Sequence, residues 1–182
     1  VMENIVYHLQ KAQQQNIRYV YGKINLISAG DKLITVWGEP WDIAKKDILQ
    51  HMTVTHCCAL HHRSLFEEYG NFNERFRITG DYELLLRAFV KGNEALFTGQ
   101  LLAAMHAGGL SANIRSKLVI ARENILARRL NGLPPRLHHR IQLLKARIAQ
   151  TLAKLIGSHG MNTLSDAYRS LRGKDKLWSR ID

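Results

Sequence analysis

Helix and strand signals alternate along the first two thirds of this chain and then give way to helix signals alone. Met2, Ile5, Val6 and Leu9 recur at three- and four-residue steps with Gln10, Gln13, Gln14 and Gln15 largely opposite, which predicts a helix over 2–15 ended at Asn16. Ile17–Ile27 and Leu33–Trp37 are rich in β-branched and aromatic residues and read as strands. Ser28-Ala29-Gly30-Asp31-Lys32 between them reads as a hairpin loop. Pro40 lies between Trp37 and Trp41 and breaks regular structure, and Asp42 is placed to cap a short helix over 43–50. His51–Leu60 is β-like, Arg63–Tyr69 is a short helix stopped by Gly70, and 71–79 is a loop carrying Phe72, Phe76 and Ile78. Gly80-Asp81 opens a strong helix over Tyr82–Lys91 that Gly92-Asn93 stops, and Glu94–Leu102 reads as another strand. The expected fold class is therefore α/β.

From Ser116 on, the pattern is helical. Lys117–Leu130 is a helix ended by Asn131-Gly132 and Pro134-Pro135. Residues 138–156 carry the clearest amphipathic pattern, a stripe of Ile141, Leu144, Ile148, Leu152 and Leu155 with Arg140, Arg147 and Lys154 beside it. Gly157 to Gly160 breaks that pattern, and 164–172 reads as a last short helix.

Charge changes at the same place. The chain of 182 residues has a formal net charge of +11. Residues 1–115 hold 12 basic and 11 acidic side chains, whereas 116–182 hold 14 and 4. The expected organisation is a nearly neutral unit over 1–115 followed by a basic helical extension over 116–182. An apolar content of 46% excludes a disordered tail. No run approaches the ~20 apolar residues of a membrane span, and no signal-peptide pattern opens the sequence. The chain begins Val1-Met2, so a missing upstream segment is expected. Cys57 and Cys58 are adjacent and make no disulfide framework, which favours a reducing compartment. The spacing of His56-Cys57-Cys58 and His61-His62 has no Cys-x-x-Cys and argues against zinc.

The residues with chemistry gather between 53 and 111: His56, Arg63-Ser64-Leu65-Phe66, Gly70-x-Phe72, Phe76-x-Ile78-x-Gly80-Asp81-Tyr82-Glu83-Leu84, Arg87 and Gly108-Gly109-x-Ser111. A carboxylate at a helix N-terminus is held by a rigid element, and the helix dipole favours its charged form. It can serve as a general base, or it can simply cap the helix. Backbone N–H groups of a glycine loop can approach a diphosphate, or the loop can be a plain turn. In order and spacing this segment resembles the C-terminal half of the catalytic domain of family 2 glycosyltransferases, and the resemblance runs over about residues 1–130. It implies the C-terminal portion of a GT-A nucleotide-sugar fold with a mixed sheet. The implied reaction is inverting transfer of a sugar from a nucleotide-diphosphate donor to a hydroxyl acceptor, in cell-envelope polysaccharide or glycolipid synthesis. Asp81 is implied as the base. His56, Arg63, Gly80, Tyr82, Glu83, Gly108, Gly109 and Ser111 are candidates for substrate or nucleotide binding, and His106 for a metal ligand. The implied cofactor is Mn²⁺ or Mg²⁺. No Asp-x-Asp occurs in the chain, so the main metal ligands and the donor pocket are expected upstream of residue 1. The resemblance also implies a cytoplasmic setting and lipid-linked acceptors.

Trp37 and Trp41 read as core, or as a platform for a sugar ring. Three readings stand for the basic extension: a solvated helix pair packed on the rest, a helix on an anionic membrane surface, or a nucleic-acid contact. The last lacks aromatics to stack on bases in 116–160 and any recognisable nucleic-acid motif. The class alternative to an enzyme is a non-catalytic interaction module with a basic arm.

Overall fold

The computed structural model describes residues 2–112, 116–171 and 173. The chain is α/β with a four-stranded mixed sheet. In order the elements are α1 (Met2–Gln14), β1 (Tyr19–Ile27), β2 (Leu33–Trp37), α2 (Trp41–Ala44), β3 (Leu60–His61), α3 (Arg63–Tyr69), α4 (Gly80–Val90), β4 (Ala95–His106), α5 (Ser116–Leu130) and α6 (Leu137–Leu171). Short 3₁₀ turns occupy His56–Cys58 and Leu110–Ala112.

β1 is the spine of the sheet. β4 runs parallel to it along one edge, from Tyr19↔Ala95 to Ile27↔His106. On the other edge β2 pairs antiparallel with its second half (Ile24↔Trp37) and β3 with its start (Tyr19↔His61). The β1–β2 hairpin closes as its sequence predicts. Ser28 N–H donates to Lys32 O (2.8 Å), and Asp31 takes a left-handed φ of 57°. Two glycines shape the strand exits. The β1–β4 register shifts around Gly22, and a Cβ there would stand 2.6 Å from Gln100 O. Gly38 has φ +124°, and a Cβ on it would stand 2.8 Å from Gly22 O.

α4 is the central pillar. Successive helical residues point about 100° apart, so three leucines in a row face three ways. Leu85 joins Tyr19, Tyr21, Ile48, Val54 and Phe89 against the sheet. Leu84 meets Leu65 of α3. Leu86 packs with Phe76, Tyr82 and Ala127 of α5. All three leucines are fully buried, as expected of a helix apolar on nearly every side.

α5 joins that same core, although its charge set it apart in the sequence. Ala127 and Arg128 are buried. The Arg128 guanidinium donates to Leu49 O and to Pro134 O, the latter at 2.9 Å. The change of composition at 116 is thus not a change of packing unit. Along α6 the backbone leaves helical geometry at Gly157 (φ 72°, ψ 173°), where the sequence breaks its pattern.

Some elements differ from their sequence reading. The expected strand over 51–60 shrinks to Leu60–His61, because side chains replace the ladder. Thr53 Oγ1 donates to Ala44 O (2.9 Å) and Thr55 Oγ1 to Gly22 O (2.5 Å). The helix expected over 43–50 starts at Trp41 behind Pro40, ends at Ala44 and continues as turns. Asp42 therefore lies in its first turn and does not cap it. α1 forms close to its expected bounds, and after it Ile17 N–H returns to Ala12 O as the chain turns at Asn16 (φ 53°) into β1. Ala12 is buried, while Val6 and Leu9 stay about half exposed.

Candidate functional site

A cleft of about 590 Å³ opens at the C-terminal end of β1 and β4. Ile24 and Met105 line it from the sheet. Trp37, Gly38 and Glu39 line one side, the 51–57 segment another, and Asp81 and Ser111 complete it. The cleft keeps its shape through bonds behind it. Gly22 O accepts the Thr55 hydroxyl and holds the 51–57 segment to β1. Tyr21 donates its hydroxyl to Glu39 O (2.8 Å), fixing the chain just past β2. Burial pushes the Tyr21 phenol well above its usual range, so it stays a donor.

Asp81 sits in the first turn of α4, one residue inside the helix start. Thr79 holds the N-cap position, so Asp81 is not the cap that its sequence position allows. Its Oδ1 accepts the Tyr82 N–H (2.7 Å), and Oδ2 has no hydrogen bond among the described residues. One oxygen is anchored and the other is open to a ligand.

The approach to Asp81 is fixed by a residue that sequence reasoning did not select, Glu123 of α5. Its carboxylate accepts the backbone N–H of Arg77 (2.8 Å), Ile78 (3.1 Å) and Thr79 (2.8 Å), and the Thr79 hydroxyl (3.1 Å). Burial raises the cost of its charge, but these donors outweigh that cost and hold the carboxyl below its usual range. Its signal in the sequence was its isolation, as the one acid between 116 and 160.

The structure sorts the expected site residues into groups. Asp81, His56 and Ser111 converge on the cleft. The His56 ring lies 5.0 Å from His61 and 6.3 Å from Phe72, at the edge of an aromatic cluster. Burial, with His56 beside it, pushes the His61 imidazole down to about 4. Tyr82 and Glu83 do not line the cleft. Tyr82 is a core residue beside Ala127. Glu83 is 2% exposed and pairs with Arg87 (3.1 Å), whose guanidinium also donates to Tyr69 O and Asn71 O. That group ties α4 to the end of α3. Three side chains one apart on a helix cannot all face one cleft, which is why Asp81 excludes its neighbours.

Arg63 is also away from the cleft, on the surface and paired with Glu67 at 2.9 Å. Gly80 starts α4, where a Cβ would meet only an ordinary contact with Phe76 (3.6 Å). Gly108 (φ 96°) and Gly109 form the exposed loop leading to Ser111; residues 113–115 lie outside the described residues. The two tryptophans part company. Trp37 lines the cleft, whereas Trp41 stacks on Phe89 (4.9 Å) and donates to Glu94.

His106 is engaged by Asp31 (2.9 Å) and does not line the cleft. Among the described residues no three His, Cys, Asp or Glu side chains gather to hold a metal ion. The described residues do not by themselves offer a metal site. A scan against protein-family models finds no match for the chain, and a search of the curated proteins finds none either.

Proposed function

We propose that this chain is the acceptor-side part of a GT-A-type, family 2 glycosyltransferase that moves a sugar from a nucleotide-diphosphate donor to a hydroxyl acceptor with inversion. The observation that carries the reading is Asp81: a carboxylate on a rigid helix, one oxygen anchored, the other open, in a cleft shared with His56, Ser111 and the Trp37 ring. The acceptor O–H gives its proton to Asp81 as its oxygen bonds to the anomeric carbon. The bond from that carbon to the diphosphate oxygen breaks on the opposite face, and the configuration inverts. Trp37 offers a flat apolar face to an acceptor sugar. The reading assigns the diphosphate and its Mn²⁺ or Mg²⁺ to a donor-binding segment outside these residues. It also carries a cytoplasmic setting and a role in envelope polysaccharide or glycolipid synthesis.

The test uses the natural full-length protein with a panel of nucleotide-diphosphate sugars, reading release of the nucleoside diphosphate. Asp81→Asn is expected to lower turnover by about 10²–10⁴-fold with an unchanged circular-dichroism spectrum. Full turnover in that variant rejects the base assignment. Absence of turnover in the unmodified protein across the panel favours the interaction-module alternative.

A further inference from the structure

The amphipathic helix α6 is turned the unexpected way. Its inward face carries Ala146 and His139, with Leu143 half-buried against α5. Ala146 and His139 are buried, and His139 Nε2 lies 3.0 Å from Gln50 O. Its apolar stripe points away from the body: Leu137 is 72% exposed, Leu144 58%, Ile148 52% and Leu155 76%. At 100° per residue, Leu137, Ile141, Leu144, Ile148, Leu152 and Leu155 fall within one arc of about 80°. Arg140, Arg147 and Lys154 follow one border of that arc and Lys145 the other. No Asp or Glu occurs between Glu123 and Asp166, and Glu123 is engaged by the 77–79 backbone. Beside the helix, Arg122 and Arg129 of α5 and Arg140 of α6 border a shallow groove floored by Ile125, Leu126 and Leu143.

We propose that the outward face of α6, from Leu137 to Ile156, docks on an anionic lipid surface. Leucine and isoleucine would enter the acyl boundary while arginine and lysine meet lipid phosphates. At 1.5 Å per residue this stretch is about 30 Å long, and it would lie along the bilayer. Among the described residues no helix is long and apolar enough to cross one. Charge selects this occupant over the others. A second copy docked on the same face would bring two arginine borders together with no acid between them. A nucleic acid would match the charge but leave the leucine stripe in water, and 116–160 has no Phe, Tyr or Trp to stack on bases. This inference is independent of the transferase reading and is measured without turnover.

The experiment sediments the full 182-residue chain with phosphatidylcholine vesicles, with and without phosphatidylglycerol. Binding is expected only to the anionic vesicles and is expected to weaken as salt rises. Leu144→Asp combined with Ile148→Asp should lower partitioning at least about tenfold. Arg140→Glu with Arg147→Glu should lower it by roughly fivefold or more per residue. All four positions are exposed, so the circular-dichroism spectrum of each variant should match the parent. No binding to anionic vesicles at low salt overturns the proposal, as does equal binding to neutral ones. A dimer abolished by Leu144→Asp with Ile148→Asp in a chain that ignores vesicles, or nucleic-acid binding with no vesicle binding, overturns it too.

Discussion

α4 and α6 are both leucine-rich helices, and they use leucine in opposite ways. In α4, Leu84, Leu85 and Leu86 supply three separate clusters and lose all contact with water. In α6, Leu137, Leu144 and Leu155 stand more than half exposed, while Ala146 and His139 are buried against the body. Helical periodicity in a sequence identifies a helix and its apolar side, but it does not say what the apolar side will touch. Composition around the stripe does say it. The leucines of α4 are surrounded by aromatic and aliphatic residues of its partners, whereas those of the α6 stripe are bordered by arginine and lysine with no acid between 124 and 165.

The contrast can be broken by substitution. Leu85→Ala should cost about 2–5 kcal/mol in urea unfolding, because it opens a cavity among residues with no freedom to collapse. A cost below about 1 kcal/mol would remove α4 from its central place. Glu123→Gln is nearly isosteric but turns an amide towards N–H donors, and should cost about 2 kcal/mol. Faster amide exchange at Arg77, Ile78 and Thr79 should accompany it; unchanged exchange there would dissolve the link between α5 and the approach to Asp81.

Acid should act in two stages. His61 is held down to about 4 when folded against ~6.5 unfolded. The unfolded chain therefore binds more protons between those values, and stability falls as pH drops from ~6.5 to about 4. His139, lowered mainly by burial, adds to the same stage. Glu123 is held below its unfolded value of ~4.3. Its contribution is present above that value and is lost as pH falls through the lower folded one. Unfolding midpoints measured against pH in His61→Gln should show a smaller first stage, with the part due to His139 left, and an unchanged second. The smallest expected effect is Leu144→Ala in α6, within about 0.5 kcal/mol of the parent in the same urea assay. A loss as large as that of Leu85→Ala would mean that the stripe is packed.

Much of the first unit was legible because its signals are local. Gly80 and Gly92 punctuate α4, and the Ser28–Lys32 loop closes by bonds across four residues. Asp81 stood out by its place at a helix start, and the structure does bring it to a cleft. Two of the failures are non-local, and one turns on which way a helix faces. The β-branched run at Thr53-Val54-Thr55 reads as strand, yet its hydroxyls bond to carbonyls 9 and 33 residues away. Glu83 reads as a site acid beside Asp81, but the helix turns it inward to Arg87. Glu123 bonds across 44 to 46 residues, a distance over which periodicity carries no information.

The Glu123 lock has a consequence for dividing this molecule into pieces. The charge map invites a cut at residue 115. A fragment ending there would lose Ala127 from the core beside Leu86, lose Arg128 from Leu49 O, and leave the 77–79 amides without their acceptor. The boundary drawn by charge would pass through the middle of a folding unit, and a soluble excised fragment has to run at least through α5.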